Sequence, residues 1–203
     1  MKQLKKLTQE LNLILNNLPK ITHIGNPILR QKTTKTTPKE GIKIGQQLTK
    51  TLNKLRKLTG VGRGLAAPQI GISKSVFVTY LNEQFQIYIN PKIITKSKNH
   101  NFYRESCISS RVLWAVVKRP QSVTIEWTDE SGQTQAQKFT GFPARLIQHE
   151  YDHLQGKLNI DIAQPGTIEY CGDVLDVLDV LKEKLPASSW LPSVQGSVPE
   201  PPV

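Results

Sequence analysis

Apolar residues recur at Leu4, Leu7, Leu11, Ile14 and Leu18, close to a 3.6-residue period. This predicts an amphipathic helix over residues 1–18 that stops ahead of Pro19. Residues 20–36 are polar and irregular around Gly25-Asn26-Pro27. Thr37-Pro38-Lys39-Glu40 then offers a capping residue, a proline at the first helical position and a glutamate three places on. That capping-box start predicts a helix to about Leu58 with Ile44, Leu48, Leu52 and Leu55 inward, ended by the segment Gly60 to Gly64. Strand patterns follow at Ser75–Tyr80, Phe85–Ile94 and Val112–Lys118. Val123, Ile125 and Trp127 alternate before the turn Asp129-Glu130-Ser131-Gly132, and Gln133–Thr140 returns as the second arm of a hairpin. Phe142–Leu154 reads as a helix closed by Gly156. Val174, Leu175, Val177, Leu178 and Leu181 predict one more amphipathic helix ending near Pro186. The Pro-, Ser- and Gly-rich residues 186–203 lack a core pattern and are expected to form a disordered tail. The predicted fold class is α+β, with antiparallel strands packed around the 142–154 helix.

A length of 203 residues suits one domain with tails. Two cysteines, Cys107 and Cys171, exclude a disulfide-rich secreted scaffold and fit a reducing compartment. No run of 18 apolar residues is present to span a membrane, and the lysine-rich start lacks the apolar block of a secretion signal. Lys and Arg total 27 against 16 Asp and Glu, a net charge of +11. That excess favours anionic partners, above all nucleic acid or an RNA-rich particle. The competing explanation is a solvated basic surface from lysine-rich codon usage, since no basic stripe with interleaved aromatics stands out.

The chemistry is concentrated in His149-Glu150-Tyr151-Asp152-His153, within the predicted 142–154 helix. Residues four apart share a helix face about 6 Å apart along the axis, so both imidazoles can grip one metal ion. Glu150, between them, is placed to take a proton from water at the metal. Two of the chain's four histidines fall in this motif.

A catalytic metal site needs a third protein ligand and an open position. Downstream, Asp161 and Glu169 are candidates. Upstream, Cys107 lies in Arg104-Glu105-Ser106-Cys107-Ile108-Ser109, after a strand-like segment, and a small buried hydrophobe is its plainer role. Gly62-Arg63-Gly64-Leu65-Ala66-Ala67-Pro68-Gln69 is a small-residue loop that allows close backbone approach and ends on an amide donor. It fits neither a dinucleotide fingerprint nor a phosphate loop.

In this order, the three segments resemble the peptide deformylase family, which carries Gly-x-Gly-x-Ala-Ala-x-Gln, Glu-Gly-Cys-x-Ser and His-Glu-x-x-Asp-His or a close variant. His23-Ile24-Gly25-Asn26-Pro27-Ile28-Leu29-Arg30 is similar to the family's N-terminal segment. The resemblance covers about residues 20–185, which implies an N-terminal extension over 1–19, a catalytic domain over 20–185 and a tail over 186–203. It also implies one metal held by Cys107, His149 and His153 with water as the fourth ligand. The metal would be iron(II), with zinc, nickel or cobalt tolerated. The implied reaction removes the formyl group from the N-terminal formyl-methionine of nascent chains. Glu150 would act as general base and later proton donor, and Gln69 and the Ile108 N–H would stabilise the oxyanion. Gly62, Arg63 and Gly64 would border the substrate, and Glu105 and Arg119 would form a buried pair bracing the Cys107 strand.

The chain departs from the family pattern at Ser106, where glycine is usual, and at Arg63, where Ile or Val is usual. Two other readings therefore stand beside an active deformylase. One is a weakly active or inactive paralogue that binds ribosomes through its basic surface. The other is a metalloprotease, supported by the His-Glu-x-x-His segment alone. The expected location is the bacterial cytoplasm. Glu10 is the single acidic residue in 1–39, which leaves an organellar address open, although Arg and Ser are scarce there.

Overall fold

The computed structural model describes residues 19–110 and 113–170, so the helices expected over 1–18 and 174–186 and the expected tail lie outside the described residues. The first long element is α1, Pro38–Thr59. Its Thr37 cap accepts from the Glu40 N–H at 3.3 Å, and Gly60 closes it in the left-handed conformation, φ 74°. The Glu40 carboxylate does not complete the box; it accepts from the Thr36 hydroxyl at 2.5 Å. Strands β1 (Gly64–Ala66), β2 (Val76–Leu81), β3 (Gln84–Lys96) and β4 (His100–Ser106) follow. After them come β5 (Leu113–Pro120), β6 (Ser122–Thr128), β7 (Thr134–Thr140), α2 (Phe142–Leu154) and β8 (Glu169–Tyr170).

The strands form two antiparallel sheets, ordered β1-β2-β3-β6-β7 and β4-β5-β8. The expected α+β arrangement is the one observed. Side chains alternate across a pleated strand, and this splits the core in two. Val76 and Val78 of β2, with Ile87 and Ile89 of β3, pack beneath Ile44, Leu48 and Leu52 of α1. Phe77 and the cross-strand Tyr88 point the other way, where they join Val123, Ile125 and Trp127 against Ala144, Ile147 and Leu154 of α2. The two helices therefore cover opposite faces of the five-stranded sheet.

Two segments differ from the sequence expectation. The Gly-Ala-rich loop contains a real edge strand, β1, because its small residues fit between β2 and the motif helix. The irregular 20–36 segment forms a short helical turn at Pro27–Arg30 that buries Leu29 and is tied to α2 by the Thr33 N–H on the Leu154 carbonyl, 2.9 Å. Gly156, at φ 73°, sits against this segment: a Cβ there would lie 2.7 Å from the Arg30 carbonyl carbon.

Helix α1 approaches the sheet closely because two buried positions lack side chains. A Cβ on Gly45 would stand 2.5 Å from Cγ2 of the buried Ile87. Gly45→Val should therefore destabilise the domain by about 1–3 kcal/mol, the usual cost of overpacking. A drop in the urea midpoint checks this; an unchanged midpoint would mean that the helix can lift without loss.

Candidate metal centre and active site

Helix α2 places Arg145, His149, Asp152 and His153 at i, i+4, i+7 and i+8, one continuous face. This face turns toward the end of β4, where Cys107 follows Ser106 and a short helical turn, Ile108–Ser110, begins. The ligand atoms of Cys107, His149 and His153 lie within 4.8 Å of one another, and Cys107 Sγ is 3.3 Å from His153 Nε2. Donor atoms around one tetrahedral ion at ~2.0–2.3 Å stand roughly 3.5 Å apart. One thiolate and two imidazoles at these separations fit a single divalent ion.

Glu105 orients the set. His149 Nδ1 donates to Glu105 Oε2 at 2.9 Å, and a carboxylate can only accept, so His149 Nε2 keeps the lone pair that a metal needs. Arg119 holds the same carboxylate in a fork, Nε to Oε1 at 2.7 Å and NH2 to Oε2 at 3.0 Å, and reaches Asp152 with NH1 at 2.7 Å. Arg145 also pairs with Glu105 Oε1 and donates to the Asn101 carbonyl at 3.0 Å. Asn159 donates to the Glu105 carbonyl at 3.1 Å, which fixes the backbone next to the cysteine strand end. Glu105, Arg119 and Arg145 are all buried. The Glu105–Arg119 pair expected from the resemblance is thus present, inside a larger network.

Electrostatics follow from this packing. Burial by itself would raise the Glu105 pKa, but the His149 and Arg119 hydrogen bonds outweigh it and hold the carboxyl far below the usual range. Burial opposes charge on Cys107 too, yet His153 and His149 together bring the thiol well below its ordinary value. His149 is driven upward against its burial by Cys107 and Glu105. The site thus attracts positive charge, a demand that a divalent cation also meets. Glu150 is buried and its pKa is pushed up to about 7 by burial; its Oε2 has no hydrogen-bond partner among the described residues.

The other expected site residues divide into two groups. Gln69 is at the centre: Nε2 donates to Ser109 Oγ at 3.2 Å and to Cys107 Sγ at 3.6 Å, while Oε1 accepts the Ala66 N–H at 2.8 Å. Gly64 abuts Glu150, and a Cβ there would fall 2.6 Å from the carboxyl carbon. Ile108 directly follows the cysteine and is exposed. Gly62 and Arg63 instead lie against Arg56 and Tyr80: the Gly62 carbonyl accepts from Arg56 NH1 at 2.7 Å, and the Arg63 carbonyl accepts the Tyr80 N–H at 2.6 Å. Asp161 and Glu169 are not at the cluster; they pair with Arg30 and Arg104. Ser106 is not among the residues with positive φ and lies in regular β4 pairing opposite Trp114. The backbone strain that a serine would cause at a glycine-only position is absent.

Sequence reasoning missed Arg145, Asp152, Ser109 and Asn159. Arg145 was visible in principle, one helical turn before His149 on the same face.

An α+β frame that converges one thiol, two imidazoles and a buried carboxylate defines a metal-dependent hydrolase. The family model described as Polypeptide deformylase matches residues 18–167. A peptide deformylase from Pseudothermotoga lettingae is 38% identical over 143 residues, covering 70% of this chain and 81% of that protein. One from Rhizobium meliloti is 34% identical, covering 67% and 79%. A crystal structure of the Synechococcus elongatus peptide deformylase in complex with actinonin superposes with a TM-score of 0.65 at 31% identity, covering 81% of this chain and 84% of that one. The chain belongs to the peptide deformylase family.

Glu105→Gln keeps the shape of the hub and removes its charge. Leaving two buried guanidiniums short of a counter-charge should cost about 3–5 kcal/mol of stability. Loss of the partner that orients His149 should weaken metal binding ~10–100-fold. Denaturant unfolding and a metal titration check both; a variant with unchanged stability and affinity would remove Glu105 from this role.

Proposed function

We propose that this chain hydrolyses the formyl group from the N-terminal formyl-methionine of nascent polypeptides, releasing formate. The observation that carries the reading is the buried Glu150 carboxyl beside the Cys107, His149 and His153 cluster. A divalent ion held by those three residues would supply Lewis acidity. Glu150 takes a proton from the attacking water and delivers it to the departing amine nitrogen, so formate and a free amino terminus result. A carboxyl balanced near neutrality suits both halves of that transfer. Gln69 Nε2 and the Ile108 N–H are the donors we assign to the developing oxyanion. Gly64 borders the substrate, since its missing side chain leaves the space beside Glu150 open. We assign Gly62 and Arg63 to the rim of the same cleft.

The resident ion we propose is iron(II), in line with the family resemblance. Zinc, nickel or cobalt suits the same donors, and availability decides between them. The bacterial cytoplasm suits a thiolate ligand, which oxidation would destroy; no described helix is long and apolar enough to cross a membrane. The metalloprotease reading lacks a downstream third ligand, because Asp161 and Glu169 are paired with Arg30 and Arg104. The weak-paralogue reading loses one of its grounds with the ordinary backbone at Ser106.

The test is formate release from a formyl-Met-Ala-Ser peptide by metal-replete protein prepared without oxygen. Turnover is expected, and Glu150→Gln should retain metal and lose ~10²–10⁴-fold in kcat/KM. Absence of formate from fully loaded wild-type protein, or cleavage of internal peptide bonds, contradicts the reading. A loss below tenfold in the variant contradicts the role of Glu150.

A further inference from the structure

The outer face of α1 has an arrangement that the catalytic account leaves unused. Lys39, Lys43, Lys50, Lys54 and Lys57 follow one another four, seven, four and three residues apart. At ~100° per residue they fall within an arc of about 60°, and at ~1.5 Å per residue they extend over about 27 Å. All five are exposed, and none forms an ion pair with an acidic side chain among the described residues. Glu40 is the helix's only acidic residue, and it is engaged by Thr36 and Lys74. The positions interleaved in the stripe are polar and uncharged, Gln46 and Asn53. This is a one-sided lysine row on a rigid helix whose opposite face is locked into the core.

We propose that this row is a docking surface for the phosphate backbone of duplex RNA. A row of lysines along one helix face without carboxylate partners matches a line of phosphates, and lysine serves there as a point charge. Helix α1 carries no aromatic side chain on which unpaired bases could stack, and Phe85, beside Lys50, is partly buried against the core, which favours a duplex over a single strand. It also lacks the apolar side of a membrane-surface helix, because Ile44, Leu48 and Leu52 are buried against the sheet. The row lies on the face of the five-stranded sheet opposite α2, so a bound duplex leaves the metal cluster and Glu150 accessible. The inference gives the nascent-chain reading a partner, and its test does not depend on deformylase activity.

The experiment uses the full chain and a fluorescent 20-base-pair RNA duplex, with anisotropy followed from 50 to 200 mM salt. Wild-type binding is expected to weaken with a log–log slope near −4, since each neutralised phosphate contributes about −0.9. Lys43→Gln/Lys50→Gln/Lys54→Gln should lower affinity at least tenfold at 100 mM salt and flatten the slope by about 2–3. Lys92→Gln/Lys96→Gln/Lys98→Gln, an equal loss of exposed charge from β3 and the turn after it, should leave both unchanged. Unfolding midpoints and formate release of the α1 variant should equal wild type, which separates lost docking from lost folding. Equal weakening by both triple variants would overturn the proposal in favour of net charge alone. So would tighter binding to phosphatidylserine vesicles or to single-stranded RNA than to the duplex, or no duplex binding at 50 mM salt.

Discussion

The carboxylate of Glu105 joins parts of the chain that are far apart in sequence. Two residues upstream of Cys107, it accepts from Arg119 on β5, Arg145 on α2 and the ring of His149. Removing a carboxylate from water is costly unless its lone pairs are met by charged donors. Here both oxygens are engaged, which is why an acid can sit at 7% exposure in the middle of the domain. Since the three-stranded sheet and the motif helix share this one anion, the thiol and the imidazoles are held in fixed relation without depending on loop conformation.

Charge balance explains the chemistry that follows. Glu105 and Asp152 offset Arg119 and Arg145, so the network is neutral and leaves the cysteine–histidine cluster to meet its own electrostatic demand. That demand raises the proton affinity of His149 and lowers that of the Cys107 thiol, the state of affairs that a cation relieves. Glu150, on the other side of the helix from Arg145, lies outside the network's hydrogen bonds. Burial is the largest influence on it, partly opposed by the charges of His149, His153 and Arg119, and its carboxyl is pushed up to about 7. In the proposed mechanism, one helix would therefore supply both a fixed ligand and a mobile proton acceptor at adjacent positions.

Much of this was legible from local pattern. The bounds of α2 match the reading that closes it at Gly156, and α1 matches its cap and its Ile44, Leu48, Leu52 and Leu55 stripe. These features depend on residues within a turn or two of one another. Strand β1 is not recognisable in sequence, because Gly64-Leu65-Ala66 is too short to show alternation and pairs only with β2. The roles of Arg145 and Asp152 were hidden for a different reason: a charged residue on a helix is normally solvated, and only the fold shows that this face is buried. Cys107 was ambiguous on spacing alone, since its place beside the histidines is a contact across 46 residues. The family motifs resolved what periodicity could not. The lysine row on α1 is hidden in sequence because its members stand four, seven, four and three residues apart and line up only on the folded helix.

In the proposed site a single divalent ion is held by Cys107, His149 and His153, with Glu150 left free. X-ray absorption at the metal edge, on protein loaded without oxygen, tests it most directly. The account predicts one sulfur and two imidazole nitrogens in the coordination sphere, with the sulfur lost in Cys107→Ala and the sphere unchanged in Glu150→Gln. A sphere of nitrogen and oxygen only, or one that loses an oxygen when Glu150 is replaced, would contradict it.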